Sequence, residues 1–490
     1  MQGRAETRSP RQLRIMLVLP EFPPAIGGMQ THAVYLTQHL QRQGHEVCVY
    51  TYQGATPYKM GAAQQFDADL TFPVHRVMSR IGYWHSVGLL VDAARDLRPD
   101  LIYSSTTFYG LLDELCDVPV ICRSVGNDVM RPWIAYPFHA ASKMLSNWRL
   151  EEPLYDLFRK LETPELVETI FRDRRVELMS LAARSATRIL ANSQFTKDLL
   201  EEEAGCQADR VQILVGGVET DLFWNVRQNG CQVIRDRLGI PRDRFLLSTI
   251  CRLVDKKGVD FLIRAFASFH PHRRNWHLMV CGTGRRALRY ERLARALGIA
   301  DRVTFTGPVP HTDIHKYFGI TDAFVLASRV HQHEATGLRD AETMGRVLCE
   351  ANAAGVPVVA ANSGGIPSVV THGENGLLFE VDDAQDLLQQ LLHLREHPDH
   401  AEQMRRTGRR LARTRFDWSV VLAHHEKAFL EALDQRSSNG NDHLPSDGNG
   451  NGRRLSGGNG NGHGLFGHNG SGNAPSFARS LIATLTRPFG

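Results

Sequence analysis

The 490-residue sequence lacks most features of secreted, membrane-spanning and nucleic-acid-binding proteins. Its eight cysteines are scattered and form no CxxC pair, which argues against a disulfide framework or a zinc site. No apolar run approaches the roughly 20 residues of a membrane-spanning helix. The formal net charge of +4 is too small to indicate a nucleic-acid partner.

The amino terminus is rich in arginine but lacks the apolar core of a signal peptide. Residues 1–14 precede an apolar run of only five residues, Ile15 to Leu19, which Pro20 ends. Most cysteines sit in apolar runs such as Val47-Cys48-Val49, as small buried side chains in a reducing compartment do. We therefore expect a cytoplasmic protein.

The first part of the chain has the pattern of a Rossmann-like domain. A buried strand at residues 14–20 is followed by a proline- and glycine-rich loop, a helix from Met29 to Arg42 and a second strand. Gly27 and Gly28, at the start of that helix, would let the backbone approach a ligand closely. We predict that this first domain covers residues 12–225.

A second alternation of strands and helices begins at Phe245 and predicts another parallel sheet. We assign residues 226–415 to this second domain and expect a helix at residues 416–433 to return to the first. Ligands of such sheets bind at the carboxyl ends of the strands, so one molecule could contact both domains. The predicted fold class is α/β, with two Rossmann-like domains facing across a cleft.

Two segments leave alternatives open. The region from Trp133 to Ala186 is predicted to be helical, and its aromatic and basic residues fit either a membrane surface or a domain wall with its cations in solvent. Residues 437–490 are rich in glycine and asparagine and predict a flexible linker. The last part of this segment would place four apolar residues on one helix face: Phe477, Leu481, Ile482 and Leu485. Such a helix would either dock to a partner or membrane or fray.

The stretch from Glu342 to Pro367 carries the strongest functional signal. A helix that begins near Met344 and Gly345 would point its free N–H groups at an anion. Glu342 would repel that anion and is better suited to accept hydrogen bonds from hydroxyl groups, as is Glu350. A phosphate flanked by two sets of hydroxyls describes a nucleotide-sugar.

This stretch resembles the donor-binding half of the retaining GT-B glycosyltransferases of family 4. The E-x7-E motif is followed by A-N-A-A-G-V-P-V-V-A, G-G-I-P and, at His372 to Phe379, H-G-E-N-G-L-L-F. Glu334 also fits the spacing, but only the Glu342 register is followed by the other motifs in family order. The resemblance covers residues 12–433 and implies that the second domain binds the nucleotide-sugar and the first binds the acceptor.

A cationic loop provides the second part of the resemblance. The sequence C-R-L-V-D-K-K-G, with Arg252 and Lys257, is similar to the family's G-R-L-x-x-x-K-G, whose arginine and lysine hold the diphosphate; Cys251 replaces the first glycine. Cationic side chains can replace a divalent metal at a departing diphosphate, and the resemblance implies a metal-independent enzyme without a cofactor. We therefore predict Arg252, Lys257 and Glu342, rather than Lys256, as catalytic residues.

The resemblance also implies substrate-binding residues in both domains. Two sequences that could suggest a metal site, Asp67-Ala-Asp69 and His331-x-His333, lack the surrounding pattern of one, and no metal site is predicted. The predicted substrate-binding residues are Gly27, Gly28, Asp128, Gly282, Val309, Met344, Gly345, Arg346, Val347 and Glu350.

The main departure from the family lies at C-R-S-V-G-N-D, residues 122–128. The family often has H-G-x-D here, with the histidine close to the donor sugar, but Val125 occupies that position. Valine cannot donate, accept or shuttle a proton. We hypothesise that Arg123 or Asn127 takes over the contact.

The resemblance implies a hexosyltransferase that acts with retention of configuration, by front-face attack in which the departing phosphate assists deprotonation of the acceptor. The expected partners are a UDP- or GDP-linked sugar and a carbohydrate or lipid-linked acceptor, as in polysaccharide or glycolipid biosynthesis. Contact with the inner face of a membrane is an open alternative. Val125 motivates a non-catalytic nucleotide-sugar-binding protein as a second interpretation. The glycine turn at Cys281–Gly284 makes a nicotinamide dehydrogenase a distant third.

Overall fold

The first sheet consists of seven parallel strands. In chain order these are β1 (Arg14–Val18), β2 (Glu46–Tyr52), β3 (Val74–Met78), β4 (Leu101–Ser104), β5 (Val120–Ser124), β6 (Arg188–Ala191) and β7 (Val211–Ile213). They lie side by side in the order β3-β2-β1-β4-β5-β6-β7. The chain therefore changes its direction of winding between β1 and β4, and a crevice at the carboxyl ends of these two strands is the expected ligand site.

The second sheet has six parallel strands. They are β8 (Phe245–Ile250), β9 (Trp276–Cys281), β10 (Val303–Gly307), β11 (Ala323–Leu326), β14 (Val358–Ala361) and β15 (Leu377–Phe379). Their order is β10-β9-β8-β11-β14-β15, and a short antiparallel pair stands apart, formed by β12 (His331–Gln332) and β13 (Arg339–Asp340). Two parallel sheets with helices between their strands confirm the predicted fold class.

Helices cover both faces of both sheets, which explains why strands such as β1, with the sequence RIMLV, are apolar almost throughout. The described helices of the first half are α1 (Gly28–Arg42), α2 (Met60–Ala68), α3 (Tyr83–Leu97), α4 (Leu112–Cys116), α5 (Asn127–Met130), α6 (Ser142–Leu145), α7 (Glu165–Ser185) and α8 (Gln194–Glu202). Those of the second half are α9 (Thr220–Phe223), α10 (Gln232–Arg237), α11 (Val259–Ser268), α12 (Ala287–Ala296), α13 (Ile314–Gly319), α14 (Arg346–Ala354), α15 (Ala384–Glu396), α16 (Pro398–Leu411) and α17 (Trp418–Asn441).

This computed structural model describes residues 12–24, 27–53, 60–139, 142–146, 150–151, 153–154, 157, 165–224, 226, 232–269, 272–332 and 339–441. Within these ranges, no helix is both long and apolar enough to cross a membrane. Several sequence expectations lie outside them: Glu334, the second histidine of His331-x-His333, the basic-aromatic residues Trp148, Arg149, Arg159 and Lys160, and the tail from residue 442.

The predicted helical region from Trp133 to Ala186 is wrong at its start, although most of its other described residues are helical. Residues 131–139 are irregular, and the long helix α7 begins only at Glu165. Proline explains the interruption, because it removes a backbone donor and clashes with the preceding turn. Pro132 and Pro137 flank the irregular stretch, and Pro164 directly precedes α7.

The last helix, α17, packs against α1 of the first domain. Trp418 stacks on Tyr35 with 4.8 Å between ring centroids, and its backbone N–H donates to the Val218 carbonyl at 3.3 Å. Further along, Glu431 accepts from Arg188 at 2.5 Å. The helix runs to Asn441, so the segment predicted as linker from residue 437 begins as helix.

Candidate active site

A cavity of about 930 Å³ opens at the carboxyl ends of both sheets, between the two domains. Every residue that the sequence predicted for the site lines it, from Gly27 and Asp128 in the first domain to Arg252, Glu342 and Glu350 in the second. The structure thus brings the predicted residues together. Their individual roles remain predictions.

Lys257 and Glu342 form an ion pair in the wall of this cavity. Both side chains are largely buried, with 12% and 14% of their surface exposed. Burial opposes the charge on each, but the neighbouring opposite charge prevails, so the pKa of Lys257 is raised and that of Glu342 is lowered. Ser328 adds a long hydrogen bond to Glu342 at 3.4 Å. Both groups are therefore charged near neutral pH.

The three cations of the loop after β8 differ in their surroundings. Lys256 also lines the cavity, but it is buried and donates to Asp340 at 2.6 Å and to the Ala341 carbonyl at 3.0 Å, which fixes its position. Arg252 is exposed and, within the described ranges, its guanidinium has no hydrogen bond or ion pair. Arg252 and Lys257 thus present charge to the cavity, whereas the charge of Lys256 is paired with Asp340.

Helix α14 points its amino terminus into the cavity. Gly345 precedes it with φ 84°, a left-handed conformation that favours glycine, and a Cβ there would lie 2.8 Å from Leu348 Cδ1. No acidic side chain lies in the first turn, and no side chain caps it. The free N–H groups and the positive end of the helix dipole therefore remain available to an anion.

Met344 and Glu350 make contacts that hold α14 at the site. The Gly216 N–H of the first domain donates to Met344 Sδ at 3.0 Å, which joins the two domains beside the site. Glu350 is only 4% exposed, and its Oε1 lies 3.4 Å from both Arg346 Nε and His311 Nε2. One face of this carboxylate borders the cavity, as a ribose-binding acid requires.

The close packing of the backbone between β8 and β9 explains why residue Gly282 is a glycine. Its φ is 131°, and a Cβ there would lie 2.0 Å from the Cys251 carbonyl oxygen. Its N–H donates to the Gly307 carbonyl at 3.0 Å. Any larger residue would push these strand ends apart and deform the cavity floor.

The glycine loop of the first domain faces the second domain across the cavity. Helix α1 begins at Gly28 after Gly27, with no acidic residue in its first turn and no side-chain cap. A Cβ on Gly28 would lie 3.8 Å from Arg346 Nη1, so α1 and α14 approach each other end to end. The two helix termini therefore direct positive potential into one space.

Asp128 is predicted as a substrate-binding residue, and its carboxylate is held mainly by the protein. It accepts from the Ser124 hydroxyl at 2.7 Å and from the Thr107 hydroxyl and N–H at 2.9 and 3.2 Å. Burial raises the pKa of Asp128, and these hydrogen bonds counteract the rise. They also fix the loop that carries Val125 and Asn127 into the cavity wall.

Sequence reasoning missed several residues of the first-domain wall, notably His32, Ser105, Thr106 and Trp418. Ser105 and Thr106 directly follow β4 in the run S-S-T-T, at the strand end where ligands of parallel sheets bind. That position was an available signal. His32 carries no local motif and reaches the cavity only because α1 turns that face inward.

The Asp67-Ala-Asp69 motif lies away from the cavity, and Arg76 holds the first aspartate with two hydrogen bonds of 2.7 and 2.8 Å. Among the described residues, no group of three histidine, cysteine or acidic side chains could hold a metal ion. The seven described cysteines are free thiols, five of them buried as predicted; Cys251 and Cys116 are half-buried.

Two family models match consecutive parts of the chain. Residues 26–222 match Glycosyltransferase Family 4, and residues 232–411 match Glycosyl transferases group 1. The two matches do not overlap and together take in most of both sheets and most of the cavity; β1 and the cavity residues Glu21 and Trp418 lie outside them.

Curated relatives extend the comparison. The chain is 31% identical over 297 residues to a D-inositol 3-phosphate glycosyltransferase of Thermomonospora curvata, covering 58% of this chain and 64% of the relative. It is 28% identical to a GDP-mannose-dependent alpha-(1-6)-phosphatidylinositol monomannoside mannosyltransferase of Mycolicibacterium smegmatis, covering 82% of this chain and 95% of the relative. The chain thus spans somewhat less than two thirds of the length of the first of these relatives.

Solved structures support the fold. Anabaena HepE in complex with UDP superimposes with a TM-score of 0.63 at 20% identity, covering 85% of this chain and all of that structure. A glycosyltransferase from Rickettsia africae gives a TM-score of 0.62 at 16% identity, covering 86% of this chain and 99% of that structure. These likenesses show the GT-B fold, and the two family models, which together match more than half of the chain, show that it belongs to the glycosyltransferases of family 4.

Proposed function

We propose that this protein transfers a sugar from a nucleoside-diphosphate sugar to a hydroxyl group of an acceptor. The observation that carries the proposal is the cavity itself. It joins Arg252, the Lys257–Glu342 pair, Glu350 and the facing amino termini of α1 and α14 in one space between the domains. That set matches, group by group, the diphosphate, sugar and ribose of such a donor.

The donor's diphosphate would lie between Arg252, Lys257 and the amino terminus of α14. A phosphate oxygen arriving at Lys257 competes with Glu342 for the ammonium group. Glu342 would then have oxygens free to accept hydrogen bonds from the sugar hydroxyls, while Glu350 takes the ribose. The ion pair therefore keeps both side chains charged and in position until the donor binds. The phosphate then replaces Glu342 as the partner of Lys257, and the sugar hydroxyls replace Lys257 as the partners of Glu342.

Transfer would proceed with retention of configuration and without a metal. The bond from sugar C1 to the departing diphosphate oxygen breaks, and the acceptor oxygen forms its bond to C1 on the same face. The acceptor proton passes to the departing phosphate oxygen. Negative charge grows on that phosphate, and the two cations and the helix terminus stabilise it.

The names of similar proteins narrow the proposed substrates. HepE binds UDP, one relative depends on GDP-mannose, and others act on D-inositol 3-phosphate or phosphatidylinositol monomannoside. A UDP- or GDP-linked hexose and a polyhydroxylated or lipid-linked acceptor follow as proposals. The proposed location is the cytoplasm, and a lipid-linked acceptor would bring the protein to the inner face of the membrane.

The test is a panel of UDP- and GDP-sugars scored first by thermal stabilisation and then by release of nucleoside diphosphate. We expect one nucleotide class to raise the melting temperature and its sugar to turn over. Val125 favours the second candidate, a protein that binds nucleotide-sugars without transfer. Stabilisation without turnover to water or any acceptor would select that candidate, and no stabilisation by any nucleotide would refute both.

A further inference from the structure

The first-domain wall of the cavity contains a buried cation that has no hydrogen bond or ion pair with any residue that the structure describes. Arg123, in β5, is 6% exposed and lines the cavity, yet its Nε is buried without a hydrogen bond. No described residue forms an ion pair with its guanidinium. The carboxylate that is closest in sequence, Asp128, is already occupied by Ser124 and Thr107. An unpaired buried charge is costly, so its retention indicates a ligand.

The surroundings of Arg123 are positive as well. Burial lowers the pKa of Arg123 most, and the nearby Arg346 guanidinium lowers it as well, while Tyr103 and Asp128 act in the opposite direction. The amino terminus of α1, close to Arg346, adds the positive end of a 15-residue helix. Arg123, Arg346 and the α1 terminus thus bring positive charge to one part of the cavity, where Glu350 pairs with Arg346 but no described side chain forms an ion pair with Arg123.

Unpartnered hydroxyls lie on the same wall. Ser105 and Thr106, which follow the neighbouring strand β4, both line the cavity, and their hydroxyl oxygens are buried without partners among the described residues. Tyr103 lies in β4 and Arg123 in the adjacent strand β5. The register of these strands pairs Ser104 with Cys122. The residues that follow this pair, Ser105 and Arg123, therefore lie side by side at the strand ends. The wall thus offers one anion-binding group next to two groups that pair with polar ligand atoms.

The donor does not account for this wall. Its two phosphates already have Arg252, Lys257 and the α14 terminus, all in the second domain. Arg123 approaches from the first sheet, where its Nη2 would lie 3.5 Å from a Cβ on Gly216, the residue that contacts Met344. This location is next to the proposed reaction centre but on the acceptor side of it.

We propose that the acceptor carries a phosphate or carboxylate group, that Arg123 binds this group, and that Ser105 and Thr106 bind adjacent polar atoms of the same molecule. This inference rests on the proposed function and names its acceptor class. Arg123 is then a specificity-determining residue, which selects acidic over neutral acceptors.

The test measures binding of inorganic phosphate to the full chain while UDP or GDP at saturation fills the cations of the donor site. We expect phosphate to raise the melting temperature of the wild type further and to bind Arg123→Met at least about 10-fold more weakly, because a charged hydrogen-bonded contact is lost. The nucleotide itself should stabilise both proteins equally. Without ligands, Arg123→Met should melt no lower than the wild type, because its unpaired buried charge is gone.

Arg131→Met is the matched control, because Arg131 is an exposed arginine of the same domain outside the cavity wall. It should respond to phosphate as the wild type does. Arg123→Gln takes the place of the methionine variant if that one does not fold. Equal phosphate binding by the wild type and the Arg123 variants, or none by the wild type, overturns the inference while the proposed function stands. Loss of nucleotide stabilisation in the wild type removes both.

Discussion

The two walls of the cavity differ in how their charges are satisfied. On the second-domain wall, Glu342 is paired with Lys257, and Glu350 lies within reach of Arg346 and His311. On the first-domain wall, polar groups of Arg123, Ser105 and Thr106 are buried without partners in the described structure. The donor wall is thus organised before its ligand arrives, whereas the acceptor wall is incomplete without one.

This difference has a chemical reason. All nucleotide-sugars share a diphosphate and a ribose, so a wall that binds them can consist of a fixed set of cations, acids and helix termini. Acceptors share only a hydroxyl group. A wall that selects one acceptor therefore needs groups that remain costly until the correct molecule satisfies them, and the resulting penalty rejects others.

The largest effect is expected for Glu342. Replacing it with alanine should lower the rate of sugar transfer at least about 100-fold with the fold intact, because the proposed contacts to the sugar hydroxyls are lost beside the developing charge. A transfer assay and a circular dichroism spectrum of the same preparation measure the activity and the fold. Glu342→Gln keeps the shape without the charge and should be nearly as inactive.

Glu374→Gln, at an exposed carboxylate outside the cavity, serves as the control and should keep full activity. Full transfer by Glu342→Ala would remove the assignment and, with it, the idea that the paired wall is the donor wall.

Neighbouring lysines give the next comparison. Lys257→Met should weaken binding of UDP or GDP about 10- to 100-fold, because a charge-assisted contact to phosphate is lost. Lys256→Met should leave nucleotide binding within about threefold. Instead, it should lower the melting temperature, because Asp340 loses the buried ammonium to which it is paired. Calorimetric titration and thermal melts separate the two; equal effects on nucleotide binding would contradict the distinction.

The Lys257–Glu342 pair also predicts a pH dependence of stability. The pKa of Glu342 is lowered from its usual 4.5, so its contribution is present above that value and is lost as the pH falls through the lowered pKa. The pKa of Lys257 is raised from 10.5, so its contribution is lost only as the pH rises through that higher value. The difference in melting temperature between the wild type and Glu342→Gln should therefore be constant between about pH 6 and 9 and shrink below about pH 4. A difference that instead varied across neutral pH would show that the pair is not fully charged there.

The sequence predicted the donor wall far better than the acceptor wall. Arg252, Lys257, Glu342 and Glu350 lie in short local motifs, and the strand–helix alternation placed those motifs at one sheet edge. Their ion pair was not foreseen, because Lys257 and Glu342 are 85 residues apart and the local motifs do not specify which cation faces which acid. Cavity residues from distant elements, such as His32 and Trp418, depend on how α1 and α17 pack.

The predicted helical region from Trp133 to Ala186 is wrong at its start for a different reason. Aromatic and basic residues were given more weight than the prolines among them, although Pro132 and Pro137 prevent a helix over the stretch that contains Trp133. Tertiary contacts then decide the rest: Trp133 packs edge-on against Phe108 at 4.9 Å between ring centroids, which holds the irregular stretch against the first sheet. Trp133 therefore packs within the first domain.

Two glycines provide the finest comparison between the walls. Gly282→Ala should destabilise the second domain by roughly 2–4 kcal/mol, because φ is 131° and the new Cβ would lie 2.0 Å from a carbonyl oxygen. Gly28→Ala meets nothing closer than Arg346 Nη1 at 3.8 Å, so its melting temperature should be unchanged within about 1 °C. Its methyl group would still stand where the two helix termini face the ligand, and nucleotide-sugar binding should weaken about three- to tenfold. Thermal melts and donor titrations of both variants measure these effects. If the Gly28→Ala protein binds the donor normally, the first-domain loop does not reach the donor. The two walls would then serve entirely separate ligands.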